Sequence, residues 1–136
     1  MLSPIQTRAH WIQEVSLRAY DDPSEKGEYV ADISLAHHAE EKLWKVILTL
    51  EIKAKEPESM PNYTGAAEFR GLFEVHQDYP PEKIEDLVRM NGGAVLYGAA
   101  RELFLSLTSR TQNGPFEIPT IDARMFLTKI DSNNDE

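Results

Sequence analysis

The sequence predicts an α+β fold in which a four-stranded antiparallel β-sheet is followed by a long α-helix and a short C-terminal helix. Four stretches between residues 11 and 75 alternate apolar and polar side chains, as strands with one buried face do. The connections between them contain no crossover helices, so we expect an antiparallel meander. The longest helix-compatible apolar stretch, residues 94–107, comes after the last of these strands.

The first predicted strand covers residues 11–19, after a lead-in over residues 1–8 that shows no periodicity. Its odd positions are apolar except at Gln13, and its even positions from 14 to 18 are polar. A segment rich in Asp, Pro and Ser follows at residues 21–27, and these residue types favour turns. We therefore expect a strand with one buried face that ends in a turn.

Three more strands are predicted, over residues 29–35, 44–54 and 67–75. Polar connectors over residues 37–42 and 56–62 separate them. The third strand has the cleanest alternation in the chain. A helix would scatter its apolar residues around the whole circumference, so the pattern indicates a strand.

The helical region is predicted to begin at Pro81, a residue type that suits the first turn of a helix. A short helix with one apolar stripe follows, and the Asn-Gly-Gly run at residues 91–93 is expected to interrupt it. The long helix then covers residues 94–107, and the polar stretch at residues 111–115 lies beyond its end.

The C-terminal part is predicted as an extended segment over residues 116–121 and a short amphipathic helix over residues 122–130. Pro119 has no N–H to donate to a strand ladder. We expect a single domain over residues 1–130 and a disordered acidic tail over residues 131–136. The side chains of the last helix expected to point inward are Met125, Phe126 and Ile130.

The composition is acidic and free of cysteine. Of 136 residues, 23 are acidic and 14 basic, for a formal net charge of -9. This charge repels nucleic acid and anionic lipid, so we expect neither as a partner. The N-terminus does not resemble a secretory signal, and no apolar run approaches the roughly 20 residues that span a bilayer. We expect a soluble, cytoplasmic protein that does not insert into membranes.

No motif in the sequence indicates an enzyme, a cofactor or a metal site. His37 and His38 would point to opposite faces of a strand, and no carboxylate spacing completes a metal site. The chain has no G-x-S-x-G elbow, and Gly92–Gly93 lacks the Lys and the spacing of a P-loop. An anion site at that helix start is the alternative interpretation, and we favour the helix break.

The apolar surface of the long helix is wider than one sheet face requires. A covering helix needs a stripe of roughly 100°, and residues 94–107 exceed it. One interpretation is that the helix is buried deeply in a monomer core. The other, which we favour, is that its second face packs against another subunit or a bound apolar polypeptide.

Leu96–Glu102, with the sequence LYGAARE, followed by Leu107–Arg110 and Pro119, resembles the helical signature of the protein-export chaperone SecB family. That signature has Leu-aromatic-Pro-Tyr-x-Arg-Glu, a Ser/Gly-Arg pair one helix length later and a Pro-containing extended loop. The Gly71–Val75 run is similar to the fourth strand of the family. The resemblance covers roughly residues 8–127.

The resemblance implies a sheet-and-helix fold that typically assembles as a dimer of dimers, with the helices between the sheets. It implies an ATP-independent chaperone that holds unfolded precursor polypeptides and hands them to SecA, possessing no catalytic residues. Related SecB-like proteins protect an unstable antitoxin instead. A non-chaperone oligomeric adaptor with the same fold is the alternative from a different functional class.

The sequence departs from the family pattern at several positions. Gly98 and Ala99 replace the Pro-Tyr pair of the helical signature. Glu14 lies where the first acidic SecA contact of the family is expected, so it is the predicted SecA-contacting residue. Arg18 stands at the second acidic position, and Ala66 stands opposite the acid expected in the fourth strand. These differences favour a partner other than SecA.

Two sets of residues follow as site predictions. Phe116 and Ile118, on the extended segment beside the helix, are the preferred client contacts. The full set of predicted client-binding residues is Trp44, Phe73, Tyr97, Phe104, Phe116, Ile118 and Phe126. The predicted oligomer-interface residues are Leu96, Ala100, Leu103, Phe104 and Leu107.

Overall fold

The computed structural model describes residues 2–23 and 27–127 of the chain. A four-stranded antiparallel sheet is followed by a long helical stretch and a short final turn, which confirms the predicted fold class. The strands are β1 (Ile5–Ala19), β2 (Tyr29–Glu40), β3 (Leu43–Ala54) and β4 (Tyr63–Val75). The α-helices are α1 (Ile84–Leu87) and α2 (Gly93–Thr108), joined by the π-helical residues Val88–Gly92, and 3-10 turns lie at Pro81–Lys83 and Ala123–Leu127.

The strand order is β1-β4-β3-β2, so the predicted meander is wrong. β2, β3 and β4 form consecutive hairpins, whereas β1 lies beside β4 and completes a Greek-key arrangement. The connection over residues 20–28 joins the two edges of the sheet. A loop of this length reaches up to about 30 Å, and three strand spacings need only about 14 Å, so loop length alone does not exclude the crossing.

β1 begins within the predicted lead-in and is the longest strand of the sheet. Its pairing with β4 is interrupted twice, at Arg8 and at Gln13. A bulge adds one residue and moves the following side chains to the other face. As a result Ile12 lies opposite the buried Phe69, while Trp11 lies on the other face of the sheet. The uniform alternation predicted for this strand is therefore wrong.

β2 and β3 form a long, regular hairpin. Most of the connector predicted at residues 37–42 belongs to β2, and the turn consists of Glu41 and Lys42. Glu41 has a φ of 54°, in the left-handed region that tight hairpin turns require. His37 and His38 are consecutive strand residues and so lie on opposite faces, as predicted.

We call the sheet face that carries α2 the inner face and the opposite face the outer face. α2 packs on β3 and β4. The even positions of β3 from 46 to 52 are buried on the inner face, which confirms the strand predicted there. The buried apolar residues at the centre of this core are Val46, Leu48, Leu50, Ile52, Phe69, Phe73, Leu96, Ala100 and Phe104.

The glycine pair does not break the helix. Gly92 and Gly93 have helical backbone angles, and α2 continues directly from the π-helical turn. A Cβ atom on Gly92 would lie 2.9 Å from Val46, and one on Gly93 would lie 2.6 Å from the Phe126 ring. The predicted interruption is wrong because these glycines permit close packing and do not change the backbone direction.

Residues 115–122, which we call the strap, cross the inner face beside α2 without regular secondary structure. Phe116 packs against Tyr29 and Tyr63, with ring centroids 5.0 Å and 5.7 Å away. Ile118 has no exposed surface. The N–H of Phe116 donates to Thr108 Oγ1 at 2.8 Å. The strap thus covers the β2–β3 side of the sheet.

The chain continues into a 3-10 turn at Ala123–Leu127, which we call the C-terminal turn. The short C-terminal helix predicted over residues 122–130 is present in its described part as this 3-10 segment. Phe126 is buried as predicted, but Met125 is 41% exposed, so its inward orientation was wrong. Ile130 and the predicted tail over residues 131–136 lie outside the described residues.

Candidate functional site

β1 is the least covered strand of the inner face. Ile12 and Val15 point to the same side as the core, yet they are 46% and 38% exposed. Leu17, further along the strand, is half-buried. Because α2 packs on β3 and β4, the apolar surface of β1 extends beyond the edge of the helix.

The side of α2 that faces β1 continues this apolar surface. Val95, Ala99 and Leu103 are spaced by four residues and therefore share one side of the helix. Val95 is 37% exposed, and the other two are half-buried. We call Ile12, Val15, Val95, Ala99 and Leu103 together the exposed apolar band.

A groove of about 510 Å³ lies between β1 and α2, and we call it the β1–α2 groove. Phe69 of β4 contributes to its lining, and its polar groups come from His10, Glu102 and Ser106. An apolar groove with few polar groups suits an apolar side chain or segment better than a small charged ligand. The remaining lining residues on the inner face are Ile12, Ala99 and Leu103. Trp11, whose register belongs to the outer face, borders the groove from the edge strand.

Polar contacts from α2 hold the strap in place. The Tyr97 hydroxyl donates to the Pro119 carbonyl oxygen at 2.6 Å, and burial raises the pKa of Tyr97. Arg101 Nε donates to the Ile118 carbonyl oxygen at 2.9 Å, and its Nη2 lies 3.2 Å from Glu117 Oε2. The strap is therefore bound mainly through its backbone, a mode of contact that does not depend on side-chain identity.

The predicted client-binding residues are spread along the inner face: Phe116 packs near one end of the β2–β3 hairpin, and Trp44 pairs with Phe73 near the other end. Trp44 and Phe116 are half-buried. The other five have at most 4% of their surface exposed, and they are Phe73, Tyr97, Phe104, Ile118 and Phe126. Contact between these residues and a client stays a prediction, and it requires the strap or the C-terminal turn to move.

The predicted interface residues fall into two groups. Leu96, Ala100 and Phe104 have no exposed surface and face the sheet. Leu103 and Leu107 are half-buried, so part of each side chain is accessible. Sequence reasoning missed Ile12, Val15 and Val95. Gln13 within an otherwise alternating run is the one sequence signal of a bulge, across which the inward positions change from Ile12 to Val15.

Glu14, the predicted SecA contact, lies exposed on the outer face directly opposite Glu68. Two like charges at this position disfavour the pairing, and Arg70 offsets this because its Nε donates to Glu68 Oε2 at 2.6 Å. Arg18, at the position of the second expected acid, lies 5.1 Å from the centre of the Tyr20 ring.

Neither a metal cluster nor a membrane span is found in the described part of the chain. Within residues 2–23 and 27–127, no group of three or more His, Asp or Glu side chains is arranged to hold a metal ion. Over the same residues, no helix has both the length and the apolar character to cross a bilayer.

The fold is of the SecB-like class, which confirms the resemblance found in the sequence. The solved structure that shows this is the Mycobacterium tuberculosis SecB-like chaperone Rv1957 in complex with a ChAD peptide from the Rv1956 HigA1 antitoxin. It matches with a TM-score of 0.70 and 18% identity, over 88% of this chain and 91% of that chain. A Streptococcus agalactiae protein of unknown function matches with a TM-score of 0.45 and 10% identity, over 85% of this chain and 97% of that chain. No protein-family model and no curated protein matches the sequence.

Proposed function

We propose that this protein is an ATP-independent chaperone that holds unfolded polypeptides, without catalytic activity or a cofactor, in the cytoplasm. The observation that carries the proposal is the exposed apolar band on a SecB-like fold. The matched M. tuberculosis protein is a chaperone with a bound antitoxin peptide.

The physical basis is the burial of apolar surface in the β1–α2 groove. Each Å² of apolar surface removed from water contributes on the order of 25 cal/mol, so a few buried client side chains give weak, reversible binding. Several such contacts along one client raise the overall affinity. The net charge of -9 favours client segments with basic residues, and Glu102 places one acid at the groove itself.

Phe116 and Ile118 supply a second client surface in this proposal. A client segment takes the place of the strap on the sheet, and the displaced strap then presents Phe116 and Ile118 to the client. The contacts that hold the strap favour this exchange, because they involve carbonyl oxygens that any extended polypeptide also provides.

We propose an antitoxin as the client class, with export through SecA as the second candidate. Arg18 and Ala66, where acidic residues are expected for SecA docking, favour the antitoxin. The exposed Glu14 favours SecA. Charge-reversal of Glu14 separates the two, since it weakens binding to purified SecA and leaves binding of an unfolded client unchanged.

We further propose a homo-oligomer, a dimer of dimers, in which Leu103 and Leu107 contribute to contacts between subunits. If the oligomer covers the whole exposed apolar band, the protein is an adaptor and does not hold clients. Light scattering combined with a hydrophobic dye distinguishes these cases. A tetramer that binds no dye favours the adaptor.

The direct test is calorimetric binding of a reduced, unfolded protein to the native chain and to Ile12→Glu. Ile12 is partly exposed, so the charge is tolerated by the fold but disfavours apolar contacts in the groove. We expect the variant to bind about tenfold more weakly, which corresponds to about 1.4 kcal/mol.

Leu2→Glu is the matched control, because Leu2 is 84% exposed and lies outside the exposed apolar band. It should bind like the native chain. If the native chain does not bind the unfolded protein at binding-site concentrations of tens of micromolar, the holdase proposal is overturned. Equal binding by the native chain and Ile12→Glu would show that clients do not bind in the β1–α2 groove.

A further inference from the structure

One buried arginine connects three parts of the molecule. Arg89, in the π-helical turn, is only 4% exposed. Its Nε donates to the Phe126 carbonyl oxygen of the C-terminal turn at 2.7 Å, and its Nη1 donates to the Leu35 carbonyl oxygen of β2 at 3.4 Å. The same Nη1 lies 3.2 Å from His37 Nδ1. Arg89 therefore links β2 to the C-terminal turn.

The contact with Arg89 defines the protonation state of His37. A guanidinium group only donates hydrogen bonds, so His37 Nδ1 must accept and cannot carry a proton. The imidazole is then neutral, with its proton on Nε2. That atom lies 3.2 Å from Glu85 Oε2, to which it donates.

Protonation of His37 has opposite effects on two charged neighbours, Arg89 and Glu85. It removes one of the acceptors of Arg89 and brings two cations together at a site where the His37 side chain is only 15% exposed. It strengthens the contact with Glu85 of α1, which is 47% exposed and therefore screened by solvent. From β3, the Trp44 ring faces His37 at 5.9 Å between centroids, and Lys45 belongs to the outer face.

We propose that His37 is a pH-sensitive latch whose protonation removes one of the two described contacts between Arg89 and β2, and so loosens the C-terminal turn that Arg89 holds through Phe126. The neutral imidazole holds the latch, so its contribution to stability is present above the range in which histidine titrates, about pH 5–8, and is lost as the pH falls through it. The Phe126 ring, which packs closely against Gly93, moves with the turn.

The proposal is tested by hydrogen exchange of the peptide covering residues 121–127, at pH 5.5 and pH 7.5. Each rate is divided by that of the same peptide free in solution, which removes the intrinsic pH dependence of exchange. For the native chain we expect roughly three- to tenfold lower protection at pH 5.5, the effect of one lost hydrogen bond.

Two matched variants test whether His37 is the residue that makes the protection depend on pH. His37→Asn keeps an acceptor at the position of Nδ1 and cannot be protonated, so it should remove the pH dependence. His38→Asn changes the neighbouring histidine, which is exposed on the outer face, and should retain it. Equal protection of the native chain at both pH values would overturn the latch, as would pH dependence that persists in His37→Asn.

Trp44 provides a second measurement that needs no substitution at His37. In a Trp11→Phe background Trp44 is the single tryptophan of the chain, and its emission reports protonation of the adjacent imidazole. The pH midpoint of the fluorescence titration must coincide with the pH midpoint of the loss of hydrogen-exchange protection. Different midpoints contradict the proposal. No client is involved, so this test can fail while the chaperone proposal stands.

Discussion

The inner face of the sheet is covered in two different ways. Over β2 and β3 the strap lies on the sheet; it accepts hydrogen bonds from Tyr97 and Arg101 and donates one to Thr108. Over β1, Ile12 and Val15 remain partly exposed in the described structure. Both regions present apolar side chains, but within residues 2–23 and 27–127 only the first has a dedicated covering segment.

The difference separates stability from binding. Apolar residues under α2 and the strap are removed from water in the monomer and therefore contribute to folding. Apolar residues of the exposed band contribute little to folding and retain surface for a partner. In the proposed function, the same type of side chain therefore stabilises the fold on one side of α2 and binds clients on the other.

The largest expected effect tests the covered side of α2. Phe104 has no exposed surface, and Phe104→Ala should lower the free energy of unfolding by about 3–5 kcal/mol through lost burial and a cavity. Leu105→Ala, one residue away and 37% exposed, should cost less than about 1 kcal/mol. Denaturant unfolding at one protein concentration measures both. Similar losses for the pair would contradict the assignment of these two faces.

The second effect compares two glycines of α2. Gly93→Ala places a methyl group against the Phe126 ring, so we expect a loss of about 1–3 kcal/mol. Gly98 has open space around it, and Gly98→Ala should stabilise the helix by about 0.5–1 kcal/mol. Thermal unfolding shows whether each variant is less or more stable than the native chain. If both variants lose stability, Gly98 is in contact with a second subunit.

The smallest effect concerns the covering segment. Tyr97→Phe removes the hydrogen bond to Pro119 and should cost about 0.5–1.5 kcal/mol, with faster hydrogen exchange in the strap. Burial raises the pKa of Tyr97, so the stability that its neutral form provides is complete below about pH 10 and is lost as the pH rises further. Tyr97→Phe should not show this loss of stability at alkaline pH. Unchanged exchange in the strap would show that Tyr97 does not anchor it.

Local patterns predicted the regular elements well. β3 followed its alternation because both of its neighbours are strands and its even positions all meet the same core. The long helix, its SecB-like signature and the start of the helical region at Pro81 were also evident. These features depend on residues close together in the chain.

Features that depend on distant residues could not be predicted. The bulges of β1 arise from pairing with β4, and the Gly92–Gly93 pair is explained by side chains from β3 and the C-terminal turn. The predicted client residues were chosen for size and apolarity, properties that core residues share. Fractional exposure, which separates Ile12 from Phe104, is not encoded in any local pattern.

The position of β1 beside β4 has a kinetic consequence during synthesis. β1 leaves the ribosome first, yet its pairing partner is complete only at Val75, more than fifty residues later. At 5–20 residues per second, β1 waits for roughly 3–11 s, while β2 and β3 can already form their hairpin. During that interval β1 is itself an unpaired apolar segment, of the kind that this protein is proposed to hold.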